Sequence, residues 1–130
     1  MIIVITGDGK GKTTSAIGQA IRALGSGKSV AIIHFIKGEE WKTGEDTMLA
    51  WIRENFGDKL FHEKRGKGFV GILGDTLPRE EHKKAAEEGL QEVKKLVQKG
   101  EYDTVIADEI NVALSLELLE KDEITKLIKS

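Results

Sequence analysis

The chain has 130 residues, 39% of them hydrophobic and 32% charged, with a formal net charge of −2 at pH 7. Such a length and balance predict a single globular domain over residues 1–130 with a modest core, and so small a net charge supplies no field that would gather nucleic acid or a membrane surface. The absence of cysteine excludes disulfides, thiolate metal sites and cysteine catalysis, and fits a cytoplasmic location.

Met1-Ile2-Ile3-Val4-Ile5 is apolar but too short for a signal peptide or a membrane span. Residues 2–6 are β-branched and apolar without alternation, which predicts a strand buried on both faces of a parallel sheet. A glycine-rich turn follows. Ile17, Ala20, Ile21 and Leu24 then recur at helical spacing, and Gly25 and Gly27 punctuate the helix end. Val30 to Ile36 predicts a second buried strand, completing a βαβ unit.

Residues 44–55 predict a helix with Met48, Leu49 and Ile52 on one side, and Leu60 to Glu63 a short strand. The glycine-dense stretch from Arg65 to Leu77 predicts an exposed loop suited to ordering around a ligand. Pro78 suits the first turn of a long helix through Gln98, with Ala86, Leu90, Val93 and Val97 as its apolar stripe and Gly100 as its stop. Thr104 to Ala107 predicts a further apolar strand, closed by Asp108-Glu109. Residues 115–128 predict a final amphipathic helix carrying Leu116, Leu119, Ile124, Leu127 and Ile128. Strands alternating with helices imply an α/β fold with a mostly parallel sheet.

The chemistry concentrates in Gly7-Asp8-Gly9-Lys10-Gly11-Lys12-Thr13-Thr14. Glycines let the backbone bend with its amides converging and keep side chains out of a phosphate's way. The following helix adds free amides and the positive end of its dipole. Lys12 supplies a mobile cation to the outer phosphates, and the Thr13 hydroxyl is placed to ligate magnesium. In the general phosphate-loop pattern a glycine stands where this chain has Thr6, so the loop is one residue short.

Val105-Ile106-Ala107-Asp108-Glu109 supplies an acidic pair at a strand's carboxyl end, on the ligand-binding edge of a parallel sheet. Asp108 is a candidate to hold the metal directly or through water. Glu109 is a candidate second metal-shell group or a base for attacking water. The alternative is a solvated acidic turn or a helix N-cap.

These motifs, with Arg22-Ala23-Leu24-Gly25-Ser26-Gly27-Lys28, Phe35-Ile36-Lys37-Gly38, Trp41-Lys42-Thr43-Gly44-Glu45, Gly66-Lys67-Gly68-Phe69 and Asp108-Glu109-Ile110-Asn111, resemble the phosphate-loop type of ATP:corrinoid adenosyltransferase. The match runs in order along nearly the whole chain, and the shortened loop is normal in that family. The resemblance implies a RecA-like three-layer sandwich. It implies transfer of the 5′-deoxyadenosyl group of ATP to a reduced cob(I)alamin or related corrinoid, with release of triphosphate. Magnesium or manganese would assist, the partner would be a second copy in a homodimer, and a flavoprotein reductase would supply the reduced corrinoid. Lys12 and Glu109 would be the catalytic residues. Gly7, Asp8, Gly9, Lys10, Gly11, Lys12, Thr13, Thr14, Lys37, Glu45 and Phe69 would bind the substrates, and Thr13, Asp108 and Glu109 the metal.

Two departures stand out. The family commonly follows its Gly-x-Gly-Phe motif with Thr-Trp, whereas Val70-Gly71 follow Phe69 here. The family also continues for several dozen residues beyond the equivalent of Ser130. His34, where the family often has Gln, reads as a satisfied core or strand-end histidine, and His62 and His82 read as isolated. Glu80 to Lys84 reads as a solvated helix face, and Lys64-Arg65-Gly66-Lys67 as a basic loop. The competing functions are a small ATPase or GTPase hydrolysing the γ-phosphate, and a non-catalytic nucleotide- or corrinoid-binding relative.

Overall fold

The computed structural model describes residues 1–38, 40, 42–68 and 77–130. Helix α1 spans Lys12–Gly25, strand β1 Val30–His34, helix α2 Gly44–Phe56 and strand β2 Leu60–Lys64. They are followed by helix α3 over Arg79–Lys99, strand β3 over Thr104–Asp108, helix α4 over Ile110–Ser115 and helix α5 over Lys121–Lys129. The strands form a parallel sheet in the order β2-β1-β3. With β1 in the centre, all five of its residues are buried, as its continuous apolar run predicts.

Alternate residues of β1 face two separate cores. Val30 and Ile32, with Leu60, pack under Ile17, Ala20 and Leu24 of α1 and Leu49 and Ile52 of α2. Ala31, Ile33 and Phe35 pack against Ala86, Leu90, Val93 and Leu96 of α3, with Ala113, Leu118, Leu119 and Ile124 beyond. The result is the expected three-layer α/β sandwich. Among the described residues no helix is long and apolar enough to cross a membrane.

The predicted strand over residues 2–6 is corrected. This segment joins no sheet, and Ile2, Ile3 and Val4 are 58%, 61% and 64% exposed. Apolar, β-branched composition favours the extended state, but a strand exists only where a neighbour takes its backbone bonds. The single helix expected over 115–128 is also two helices. Glu117 adopts φ 60°, and the amides of Glu117 and Leu118 reach back to the carbonyls of Leu114 and Ala113. This left-handed stop turns Leu118 and Leu119 into the core.

Smaller differences concern which residues are inside. Ile21, Met48 and Val97 are exposed while Leu96 is buried. Pro78 caps α3 from outside instead of occupying its first turn. Of the Arg65–Leu77 loop, residues 69–76 lie outside the described residues.

Candidate phosphate and metal site

The glycine-rich turn leads directly into α1. Gly7 and Gly11 take φ 134° and φ 106°, values that side chains with a Cβ strongly disfavour. Gly11 is the cap of α1, no side chain caps its amides, and its first turn carries no acidic residue. The leading amides and dipole end are therefore available to an anion. Lys12 Nζ donates to the Gly9 carbonyl at 2.7 Å, which holds the ammonium over the turn. Gly7 through Lys10 are exposed, as is Thr14, whereas Lys12 and Thr13 are half-buried.

Opposite this turn, β3 ends at Asp108. Thr13 Oγ1 donates to Asp108 Oδ1 at 2.8 Å, across 95 positions of sequence. Asp108 Oδ2 receives His34 Nδ1 at 2.6 Å, and Lys37 Nζ stands 3.7 Å from that oxygen and 3.7 Å from Glu45 Oε1. Burial pushes the Asp108 carboxyl up, but the hydrogen bond and attraction from His34, the Thr13 hydroxyl and Lys37 outweigh it and hold the group below its ordinary value. Asp108 is thus a buried carboxylate on the loop side of the sheet.

Glu109 differs from its neighbour. Burial, and secondarily the charge of Asp108, raises its pKa. Its backbone is left-handed at φ 63°, and Oε2 is buried with no hydrogen-bond partner among the described residues. A left-handed backbone and a buried oxygen without a partner among the described residues both cost stability, and such features cluster at functional sites. Among the described residues no three His, Asp or Glu side chains are arranged to hold a metal by themselves. A cation here would draw on the Thr13 hydroxyl, Asp108, Glu109, water and phosphate oxygens, the hard, partly hydrated set that magnesium favours.

Of the residues singled out in the sequence, the structure brings together Lys12, Thr13, Lys37, Glu45, Asp108 and Glu109. Asp8 and Lys10 sit on the exposed turn, and Phe69 lies outside the described residues. His34 is the satisfied strand-end histidine expected, but its partners, and the pairing of His62, were not foreseen. His34 is 1% exposed, and its Nε2 meets His62 Nε2 at 2.9 Å, so His62 is not isolated. The usable signal was register, since parallel strands that end together set His34 beside Asp108. His62 is lowered to about 4 by burial and by His34. Asp46, also unremarked, accepts bonds from the Thr43 amide and Lys64 and anchors α2 beside β2.

Fold and site place the chain among the α/β proteins with a glycine-rich loop at the start of a helix and an acidic strand end facing it. More narrowly, it belongs to the family described as ATP:corrinoid adenosyltransferase BtuR/CobO/CobP, which matches residues 1–130. The chain is 35% identical to a corrinoid adenosyltransferase of Escherichia coli strain K12, over 98% of this chain and 60% of that protein. A Sinorhizobium corrinoid adenosyltransferase is 33% identical over 99% of this chain and 57% of its own length. Corrinoid adenosyltransferase CobA of Salmonella typhimurium strain LT2 is 33% identical over 100% of this chain and 61% of its own length. The chain therefore spans about three fifths of these relatives.

Proposed function

We propose that residues 1–130 act as one nucleotide-binding domain that transfers the 5′-deoxyadenosyl group of ATP to a reduced corrinoid and releases triphosphate. The observation that carries this reading is the Thr13–Asp108 hydrogen bond, which seats the start of α1 against the acidic end of β3, together with membership of the family. In the reaction, the electron pair of reduced cobalt forms a bond to the ribose 5′ carbon as the carbon–oxygen bond to triphosphate breaks. No proton is taken from the nucleophile, so no general base is required. The protein's tasks are to neutralise charge on the departing triphosphate and to aim the two reactants in line.

The open amides of α1 and Lys12 serve the first task, with Lys10 on the exposed turn. Thr13, Asp108 and Glu109 are the residues that would hold magnesium or manganese, which when bound offsets charge on the phosphates. Lys37, bridging Asp108 and Glu45, steadies the site's rim. Phe69 is assigned to the corrinoid face. A cytoplasmic location, a homodimer and a flavoprotein reductase as electron source complete the proposal.

An anaerobic incubation with ATP, magnesium and chemically reduced cobalamin tests it. The expected outcome is the spectrum of the adenosylated corrinoid with one triphosphate released per turnover. The buried Glu109 Oε2, without a partner among the described residues, favours a second reading, hydrolysis of the γ-phosphate with Glu109 as base. Nucleoside diphosphate and inorganic phosphate without any corrinoid would establish that reading instead. Lys12→Ala is expected to abolish ATP binding measured by titration calorimetry, and an unchanged affinity overturns the loop's assignment. Phe69→Ala is expected to slow adenosylation while ATP affinity stays nearly intact, and an unaltered rate removes Phe69 from the corrinoid site.

A further inference from the structure

A histidine at the end of a strand buried on both faces is costly unless both ring nitrogens find partners. His34 has them. Its Nδ1 lies 2.6 Å from Asp108 Oδ2 and its Nε2 lies 2.9 Å from His62 Nε2. The two rings meet edge to face, with centroids 4.9 Å apart and planes at 81°. Because a carboxylate only accepts, the proton between His34 and Asp108 sits on Nδ1. One further proton lies between the two Nε2 atoms, whichever ring carries it.

With both nitrogens engaged, the His34 ring is fixed in orientation. The consequence falls on Asp108, whose two oxygens then have different duties. Oδ2 is taken by His34, and Oδ1 is turned to the Thr13 hydroxyl. Without His34, Oδ2 would keep the ion pair with Lys37 at 3.7 Å, longer than a hydrogen bond. The Thr13 bond would then be the remaining hydrogen bond in these contacts that fixes how the carboxylate is turned.

We propose that His34 is a positioning residue for Asp108: by occupying Oδ2 it commits Oδ1 to Thr13 and to the divalent cation that accompanies the nucleotide, while His62 holds the imidazole in place. The chain from half-buried His62 through His34 to Asp108 and Thr13 therefore runs from the α2 side of the sheet to the start of α1. This proposal rests on Thr13 and Asp108 forming the cation-holding pair of the proposed function. Outer partners that orient a metal-holding group commonly change metal affinity by about 10–100-fold when removed.

The test compares ATP affinity with manganese and without divalent cation for the full chain, its His34→Leu variant and its His34→Gln variant. Long-range proton–nitrogen spectra of the unsubstituted protein read the histidine tautomers. His34→Leu should lose about tenfold or more of the manganese-dependent gain in affinity, while cation-free affinity changes less than about twofold. His34→Gln should recover most of that loss, since its amide donates to Oδ2. The spectra should show His34 protonated on Nδ1. An unprotonated Nδ1, an undiminished manganese gain in His34→Leu, or a Gln variant no better than Leu overturns the proposal. Should His34→Leu fail to fold, the spectra and the Gln variant decide: a His34→Gln protein that loses most of the manganese gain of the unsubstituted protein overturns the proposal, and one that keeps it supports it. Failure of the unsubstituted protein to bind manganese–ATP sinks the assignment of the site itself, a result separable from any of these.

Discussion

At Glu109 the backbone is held at φ 63° and ψ 21°, and an L-residue with a Cβ loses about 1–2 kcal/mol in that region. Its buried Oε2, without a partner among the described residues, adds to the cost. Glu109→Gly is therefore expected to raise unfolding stability by roughly 1 kcal/mol in urea titrations, and to weaken metal-dependent ATP binding at the same time. A variant less stable than the parent would show that the surrounding fold does not strain this residue. The acidic pair was legible because it follows an apolar strand, a pattern that needs no coordinates. His34 was not, because an imidazole inside an apolar run looks the same whether it fills a core or holds a carboxylate. Only the pairing of His34 with Asp108 across β1 and β3 separates the two.

Between elements, backbone lies close against backbone where the chain leaves β2 past the end of β1. The Arg65 amide bonds the His34 carbonyl, that of Gly66 the Lys37 carbonyl and that of Gly68 the Ile36 carbonyl. A Cβ on Gly66 would overlap the Ile36 carbonyl and crowd that of Phe35. Backbone on both sides leaves no flexible side chain to give way. Gly66→Ala is expected to cost roughly 1–3 kcal/mol of stability. Gly44→Ala, at the open first position of α2, should change it by less than about 1 kcal/mol in either direction. Equal effects in the two variants would refute the close crossing. The helix-period stripes that marked α1, α2 and α3 were legible from sequence because each helix buries one face. The break between α4 and α5 was hidden. It depends on Glu117 taking a left-handed conformation that glycine usually signals, and on the pull of Leu118 and Leu119 into the core. The run over residues 2–6 misled for the opposite reason: apolarity indicates what a segment would bury, not whether a strand stands beside it.

For the molecule as a whole, part of the acid sensitivity follows from half-buried His62. His62 is faced by His34, Asp46, Lys64 and Arg53. Burial and then His34 lower its pKa, with Lys64 and Arg53 adding to that and Asp46 opposing it, so that it falls from 6.5 to about 4. Above pH 6.5 His62 is neutral folded and unfolded, and contributes no pH dependence. Between 6.5 and about 4 the unfolded chain binds a proton that the folded protein refuses, so stability falls as pH falls through this window. Below it, both states are protonated and the His62 contribution levels off. Asp46 acts at lower pH. Its pKa is lowered because the bonds from Lys64 and the Thr43 amide outweigh burial, so its stabilisation is lost only when that carboxylate is protonated. Urea unfolding at successive pH values should thus show a plateau above pH 7, a decline between 6.5 and 4, and a further drop below. His62→Phe should flatten the middle decline and leave the most acidic limb in place. Should the middle limb survive that substitution unchanged, the acid sensitivity belongs to another group and the neutral state assigned to half-buried His62 is wrong.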